Sequence, residues 1–252
     1  MKQDDATISI PQIVTVATMN VGNGMAPDDQ LVKVVRQVQP DILAFEELNH
    51  RQAEHLAEKL ADIWAHQFSF GDGYEGRAIF SRFPLLRQEM LPITSDRPDG
   101  LVEVELDGQA LTIIVGHPRP PKFRGRGLET PYSSHRQLLR LADIAVERSP
   151  AVLLGDFNVR PDNGIYERLR QRGLVDAFAE SGEGPERTFP VRVANEIRTF
   201  GRRTVRVKTP PVFRADYIWH TPDIRSVATW VGADTGSDHL PVVSRLAIPP
   251  KP

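Results

Sequence analysis

Eight polar residues sit where a run of β-forming residues has just ended or is about to begin: Asn20, Glu47, His117, Asp156, Asn158, Asp216, Asp238 and His239. Their types point to one kind of chemistry. Asn20, Glu47 and Asp238 offer hard oxygen ligands, with too little charge for a multi-carboxylate calcium cage. Such a set suits Mg²⁺ or Mn²⁺, which keep several waters and complete their shell with phosphate oxygens. Two histidines near carboxylates suit proton transfer or stabilisation of charge on a phosphoryl group. Each residue has a plainer reading when taken alone. Asn20 is a good turn residue, Glu47 can satisfy the dipole of a following helix, and a lone His117 is more often structural. Asp216 can cap its own strand, and Asp238-His239 can be a surface turn. Eight such coincidences at strand ends are improbable together.

The stretch that best shows how such residues are positioned is Ala151–Asn158. Four apolar residues follow Pro150 and read as a short strand buried on both faces. Gly155 ends the run, and Asp156 and Asn158 follow at i and i+2. On its own this stretch is evenly balanced between a turn and a catalytic strand end.

The rest of the chain supplies the matching elements. Ile13–Met19 reads as a strand, and Asp28 or Asp29 can cap a helix with apolar positions Leu31, Val34, Val35 and Val38, stopped by Pro40. Asp41–Phe45 is the next strand, running into Glu46 and Glu47, and Ala53–Ala61 marks a second helix. Strands are expected at Trp64–Phe70, Ala78–Ser81 and Leu85–Leu91. Leu101–Leu106 and Ala110–Gly116 are joined by Asp107-Gly108, a strong hairpin signal. A Pro-rich basic loop runs from Pro118 to about Tyr132, and Ser133 or Ser134 can cap a helix closed by Pro150. A short helix lies around Ile165–Arg170. Thr188–Phe213 reads as a hairpin or a long loop. Asp216–Trp219, Val227–Val231 and Leu240–Leu246 are the last strands. No repeat or linker divides the chain, so one α/β domain spanning 1–252 is expected, with loose termini at 1–11 and 248–252.

Bulk properties exclude several classes. The chain of 252 residues is 40% hydrophobic and 25% charged, ordinary for a globular protein. No apolar run approaches the roughly 20 residues of a membrane-spanning helix. The N-terminus has no signal-peptide core, so a cytoplasmic protein, or one whose leader has been trimmed, is expected. The absence of cysteine rules out disulfides, thiol nucleophiles and thiolate metal sites. Net charge is −2, yet two segments are locally basic: Arg119–Arg136 and Ile197–Ala215. A charge run is usually a solvated face. Two of them flanking the central strand suggest a polyanionic ligand.

The order of these motifs resembles the endonuclease/exonuclease/phosphatase superfamily, which has the deoxyribonuclease I-like fold. The resemblance rests on Thr18-Met-Asn20-Val, Pro40–Glu47, Ala78–Pro84, Ile114–His117, Leu153–Asn158, Arg214–Ile218 and Gly236–Val242. Three departures stand out. Met19 precedes the Asn where an aromatic is common, Glu46 replaces the usual Gln, and His117 is followed by Pro-Arg-Pro-Pro, as in a general bacterial hydrolase subgroup. No counterpart of the abasic-endonuclease tyrosine is apparent.

The resemblance implies an α/β (α+β) four-layer sandwich of two packed, mostly antiparallel sheets flanked by helices. It also implies a divalent-metal-dependent phosphoric ester hydrolase using Mg²⁺, with Mn²⁺ as an alternative. In that reading Asn20, Glu47 and Asp238 hold the metal. His239 and Asp156 share activation of water, Asn158 holds phosphate or water in line, and Asp216 orients His239. His117 grips the phosphate as a cation or donor, with Glu75 behind it. Arg119, Lys122, Arg124 and Arg214 are the candidate phosphate-contacting cations. The expected substrate is a phosphodiester, DNA or RNA included, and the expected state is a monomer. The alternatives are a phosphomonoesterase, a phospholipid-head-group hydrolase (sphingomyelinase- or inositol-phosphatase-like), and a catalytically silent binding protein on the same fold.

Overall fold

The computed structural model describes residues 10–94, 97–124, 127–198 and 202–251; side chains at 123–128 and 193–206 lie outside that description. In chain order the elements begin with β1 (Gln12–Asn20), α1 (Asp28–Val38), β2 (Ile42–Glu46), α2 (His50–Lys59), β3 (His66–Phe70) and β4 (Arg77–Ser81). The middle consists of β5 (Leu85–Leu91), β6 (Asp99–Leu106), β7 (Gln109–Val115), β8 (Lys122–Arg124), β9 (Gly127–Glu129), α3 (Tyr132–Glu147) and β10 (Ala151–Asp156). Next come α4 (Gly164–Gln171), β11 (Val175–Asp176), α5 (Ala177–Ser181), β12 (Gly182–Glu183), β13 (Arg192–Arg198) and β14 (Arg202–Lys208). The chain closes with β15 (Asp216–His220), β16 (Arg225–Val231) and β17 (Val242–Ile248).

Two sheets carry the architecture. A seven-stranded sheet has the order β12-β16-β17-β1-β2-β4-β3, and a six-stranded sheet the order β11-β15-β10-β7-β6-β5. Most neighbours are antiparallel; β1 with β2, β7 with β10, and β12 with β16 are parallel. The β1–β2 and β7–β10 pairs follow from crossover helices, since a chain that returns through a helix re-enters the sheet in the same direction. So α1 joins β1 to β2, and α3 joins β7 to β10.

Strand alternation sorts the side chains into three cores. Val14 and Val16 of β1, Ile42 and Ala44 of β2, Ile113 and Val115 of β7, and Val152 and Leu154 of β10 point between the sheets. The alternate residues face outward. Ala17, Met19, Leu43 and Phe45 pack beneath Leu31, Val35, Leu56 and Leu60 of α1 and α2. Ile114, Leu153, Tyr217 and Trp219 pack beneath Leu138, Leu141 and Ala145 of α3 and Leu169 of α4. The result is helix, sheet, sheet, helix, the expected four layers. Since the central strands are covered on both faces, β2, β7 and β10 are almost continuously apolar, which is how Ala151–Leu154 came to read as doubly buried.

Local details depart from the sequence reading. Helix α1 is preceded by Pro27, with Asp28 and Asp29 in its first turn rather than capping it. Helix α3 begins at Tyr132 after Pro131, so neither Ser133 nor Ser134 is its cap. Proline takes these positions because its fixed φ suits a helix entry. Thr188–Phe213 contains the hairpin β13–β14, with Arg192 opposite Lys208. The short elements β11, α5 and β12 carry too little pattern to have been expected. Residues 1–9 of the expected N-terminal tail lie outside the described residues.

Candidate active site

The same alternation that builds the inter-sheet core builds the site. Continuing each inward-facing series to the strand end gives Thr18 and Asn20 on β1, Glu46 on β2, His117 just beyond β7, and Asp156 on β10. Asp216 opens β15, directly opposite Asp156 in the ladder. Polar residues thus replace aliphatic ones where the two sheets part at one edge, so the site is the open end of the core. Glu47 reaches it by other means. Its φ of +55° turns the chain sharply after β2, and Asn158 has φ +54° after β10. Left-handed backbone at non-glycine residues is costly and gathers at functional sites.

Asp156 is the hub. Its Oδ1 accepts from the Asn158 backbone N–H at 2.9 Å. Its Oδ2 accepts from Asn20 Nδ2 at 3.1 Å and Asn158 Nδ2 at 3.2 Å. His117 Nε2 lies 3.4 Å from the same oxygen and His239 Nε2 3.7 Å. Burial alone would protonate Asp156, but His239 and His117 outweigh it and hold the carboxyl below the usual range. A buried carboxylate with that many donors is kept ionised, ready to accept a proton.

His239 is sandwiched. Its Nδ1 lies 2.9 Å from Asp216 Oδ2, and its ring packs on Phe189 with centroids 4.4 Å apart. Burial works against its protonated form, yet the carboxylates of Asp216 and Asp156 prevail and push its pKa up. Thr188 fixes this arrangement from the far side: its Oγ1 accepts from the N–H groups of Ala215 and Asp216 at 3.0 and 3.4 Å. Its carbonyl accepts from Leu240 N–H at 2.9 Å. Thr188 and Phe189 were not among the sequence candidates. They sit in the stretch left open between hairpin and loop, and nothing local marks them.

His117 behaves oppositely. It is 1% exposed, and burial lowers its pKa to about 4 against the opposing pull of Asp156. It is therefore a neutral imidazole near pH 7, a donor rather than a cation. Glu75 does not support it: that side chain is exposed, and only its carbonyl takes part. The buried Arg77 donates to Glu75 O at 2.7 Å and to His117 O at 2.9 Å, and so links the two through backbone. Arg77 and Glu46 were missed as site neighbours. Alternation along Ile42, Ala44, Glu46 would have placed Glu46 correctly; nothing comparable pointed to Arg77.

On the opposite side lies an excess of negative charge. Glu47 Oε1 is 3.7 Å from His117 Nε2, and burial, then the charge of Asp156, raises the Glu47 pKa to about 7. Asp238 adds to that repulsion and accepts from Ser237 Oγ at 3.3 Å. Asn20 Oδ1 accepts from Gly22 N–H at 3.0 Å. This oxygen-rich, thiolate-free donor set with surplus charge fits a hard divalent cation. A second group, Asp156, Asp216 and His239, has ligand atoms within 4.8 Å of one another and could also hold a metal ion.

Four expected phosphate-contacting cations separate in the structure. Arg119 and Lys122 lie on the segment leaving His117, Lys122 exposed. The Arg124 side chain lies outside the described residues. Arg214 is a correction: it is 3% exposed, its Nη2 is 2.5 Å from Asp176 Oδ2, and its guanidinium lies 4.6 Å from the Tyr217 ring centre. That arginine is committed to packing the sheet edge against α5. Among the described residues no helix is long and apolar enough to cross a membrane.

Comparison with known proteins accords with this geometry. No curated protein matches the sequence. Among solved structures, the endonuclease/exonuclease/phosphatase from Bacteroides vulgatus is similar with TM-score 0.73 at 17% identity, over 94% of this chain and 99% of that one. D. rerio TDP2, solved with a single-strand DNA product, has TM-score 0.69 at 16% identity, over 93% and 99%. Sphingomyelinase C from Streptomyces griseocarneus has TM-score 0.65 at 17% identity, over 93% and 99%. These likenesses establish the shared fold. The Endonuclease/Exonuclease/phosphatase family model matches residues 17–239, and the chain belongs to that family of phosphoester hydrolases.

Proposed function

We propose that this protein is a divalent-metal-dependent phosphodiesterase acting by direct attack of water on phosphorus. The observation that carries the reading is the ionised Asp156, ringed by Asn20, Asn158, His117 and His239, opposite a carboxylate-rich pocket around Glu47. Glu47 and Asn20, with Asp238, would hold Mg²⁺ or Mn²⁺. When bound, such an ion offsets charge developing on the phosphoryl oxygens.

The chain's own groups perform the remaining work. Asp156 accepts the proton of the attacking water, because its neighbours keep it ionised while burial strips it of bulk solvent. His239, protonated between two carboxylates, cannot serve as the base; it donates to the phosphoryl group, while Asp216 holds its ring orientation. This refines the expectation that His239 and Asp156 share the role. His117, neutral, donates from Nε2 to a phosphate oxygen. Asn158 lines up water or phosphate through a carboxamide anchored on Asp156 and on Pro118 O at 3.2 Å.

A diester is favoured over a monoester because two basic stretches of sequence, Arg119–Arg136 and Ile197–Ala215, suit an extended polyanion better than a single terminal phosphate. DNA or RNA suits the basic flanks, and D. rerio TDP2 holds a single-strand DNA product on the same fold. The test compares Mg²⁺-dependent turnover of bis-p-nitrophenyl phosphate and p-nitrophenyl phosphate, alongside nucleic acid and sphingomyelin. The diester should be cleaved at least about tenfold faster, and chelation should abolish turnover. Preference for the monoester, or metal-independent turnover, would overturn the reading.

A further inference from the structure

Outside the reaction centre, a groove of about 560 Å³ lies along the outer face of α3. Tyr132, Arg136 and Arg140 occur at i, i+4 and i+8 and so form one exposed stripe down the helix. Tyr132 is 76% exposed, unusual for an aromatic with no structural task. Arg168 of α4 faces the stripe across the groove, and His135 lines it with Nε2 buried and unpartnered. Among the described residues of the lining the one acid is Asp143, and it is engaged by Arg172 Nε at 2.8 Å. Arg140 has only a long, exposed contact with Glu147 at 3.4 Å. Net positive charge therefore remains in the groove.

Topology connects this groove to the site. Strand β7 runs to the active edge and leads into His117 two residues beyond its end, and α3 starts from that same edge and runs away from it before β10 returns. Ser134 Oγ donates to Arg119 O at 3.0 Å, two residues beyond His117. On the inner face, Gln137 Nε2 donates to both Asp99 oxygens at 2.8 and 2.9 Å, and Asp99 accepts from His117 N–H at 3.4 Å. The helix that carries the stripe is thus tied near its N-terminus to the segment around His117, and the stripe runs from that end outward.

We propose that this face of α3 is a track for a single nucleic-acid strand leaving the reaction centre, an inference that rests on the phosphodiesterase reading. Tyr132 stacks a base, and Arg136, Arg140 and Arg168 take successive backbone phosphates. An aromatic followed by regularly spaced arginines suits a repeating polyanion. A lone phosphate would need one cluster, and a lipid surface would need projecting aliphatic side chains.

Binding of fluorescein-labelled dT15 to the full chain, followed by anisotropy in EDTA, tests this without requiring turnover. Arg136→Glu/Arg140→Glu should bind at least about tenfold more weakly. Loss of two phosphate contacts should flatten the slope of log affinity against log salt by about 1.4. Tyr132→Ala should weaken binding with the slope unchanged, and Tyr132→Phe should restore it. Hydrolysis of bis-p-nitrophenyl phosphate should stay within about twofold of wild type in every variant. Equal dT15 affinity and slope in wild type and the double variant would overturn the track, as would preference for anionic phospholipid vesicles over dT15. A wild-type protein that binds dT15 as described but hydrolyses no diester would overturn the parent reading alone.

Discussion

At the scale of single residues, the candidate site sets neighbouring carboxyl groups apart. Asp156 and Glu47 share one small volume, yet one is held ionised by imidazole and amide donors while the other is pushed up to about 7. Divergent environments are what give like side chains different roles. The chemical types and their strand-end positions were legible in the sequence, since a catalytic residue at the end of an apolar run breaks that run visibly. Arg214 was not. Its partner Asp176 lies 38 positions away, and only folding brings them to a 2.5 Å contact. Arg214→Met should therefore act on stability, lowering it by about 3 kcal/mol as the buried Asp176 carboxylate loses its countercharge and keeps the Tyr166 hydroxyl and the Phe178 N–H. Urea unfolding measures this, and KM for a diester should hold steady in the folded fraction.

At the scale of elements, positioning depends on where strands stop. Gly155 lies within β10, paired with Tyr217, at φ +137°, and a Cβ there would lie 2.0 Å from the Gly116 carbonyl oxygen of the adjoining strand end. This close approach lets Asp156 and His117, each following one of these glycines, converge. Gly155→Ala should cost at least about 1–3 kcal/mol through the clash and the unfavourable φ. It should also lower kcat by displacing Asp156, so thermal unfolding and steady-state kinetics should both register it. Strands and the main helices were readable because their periodicity is strong. The caps were not, because proline entry and side-chain capping leave similar traces. The Thr188–Phe189 support was invisible for another reason: its partners, Asp216 and His239, come from strand ends far along the chain.

At the scale of the whole molecule, the site spans both sheets: Asn20 and Glu47 come from the seven-stranded sheet, His117, Asp156 and Asp216 from the six-stranded one. A cation bound on the Glu47 side, as proposed, would therefore stabilise the native assembly as a unit. The folded pKa of Glu47, about 7, lies above its ordinary value of 4.5. Its contribution to the metal-free protein is full below about 4.5 and is lost as pH rises through about 7. Metal binding needs the ionised form, so it has the opposite dependence. Added Mg²⁺ should raise Tm clearly at pH 8 and little at pH 5, with apparent affinity weakening roughly tenfold per pH unit below 7. Differential scanning fluorimetry across that range checks it. Two packed sheets were expected from the resemblance; which residues of each sheet meet at the open end of the core emerged only with the fold.

The most direct test of the central claim is kcat for Mg²⁺-dependent hydrolysis of bis-p-nitrophenyl phosphate by Asp156→Asn, a near-isosteric change that removes the proton acceptor. With circular dichroism and Tm close to wild type, kcat should fall by a factor on the order of 10³ or more. A folded Asp156→Asn protein that retains wild-type kcat would contradict the account.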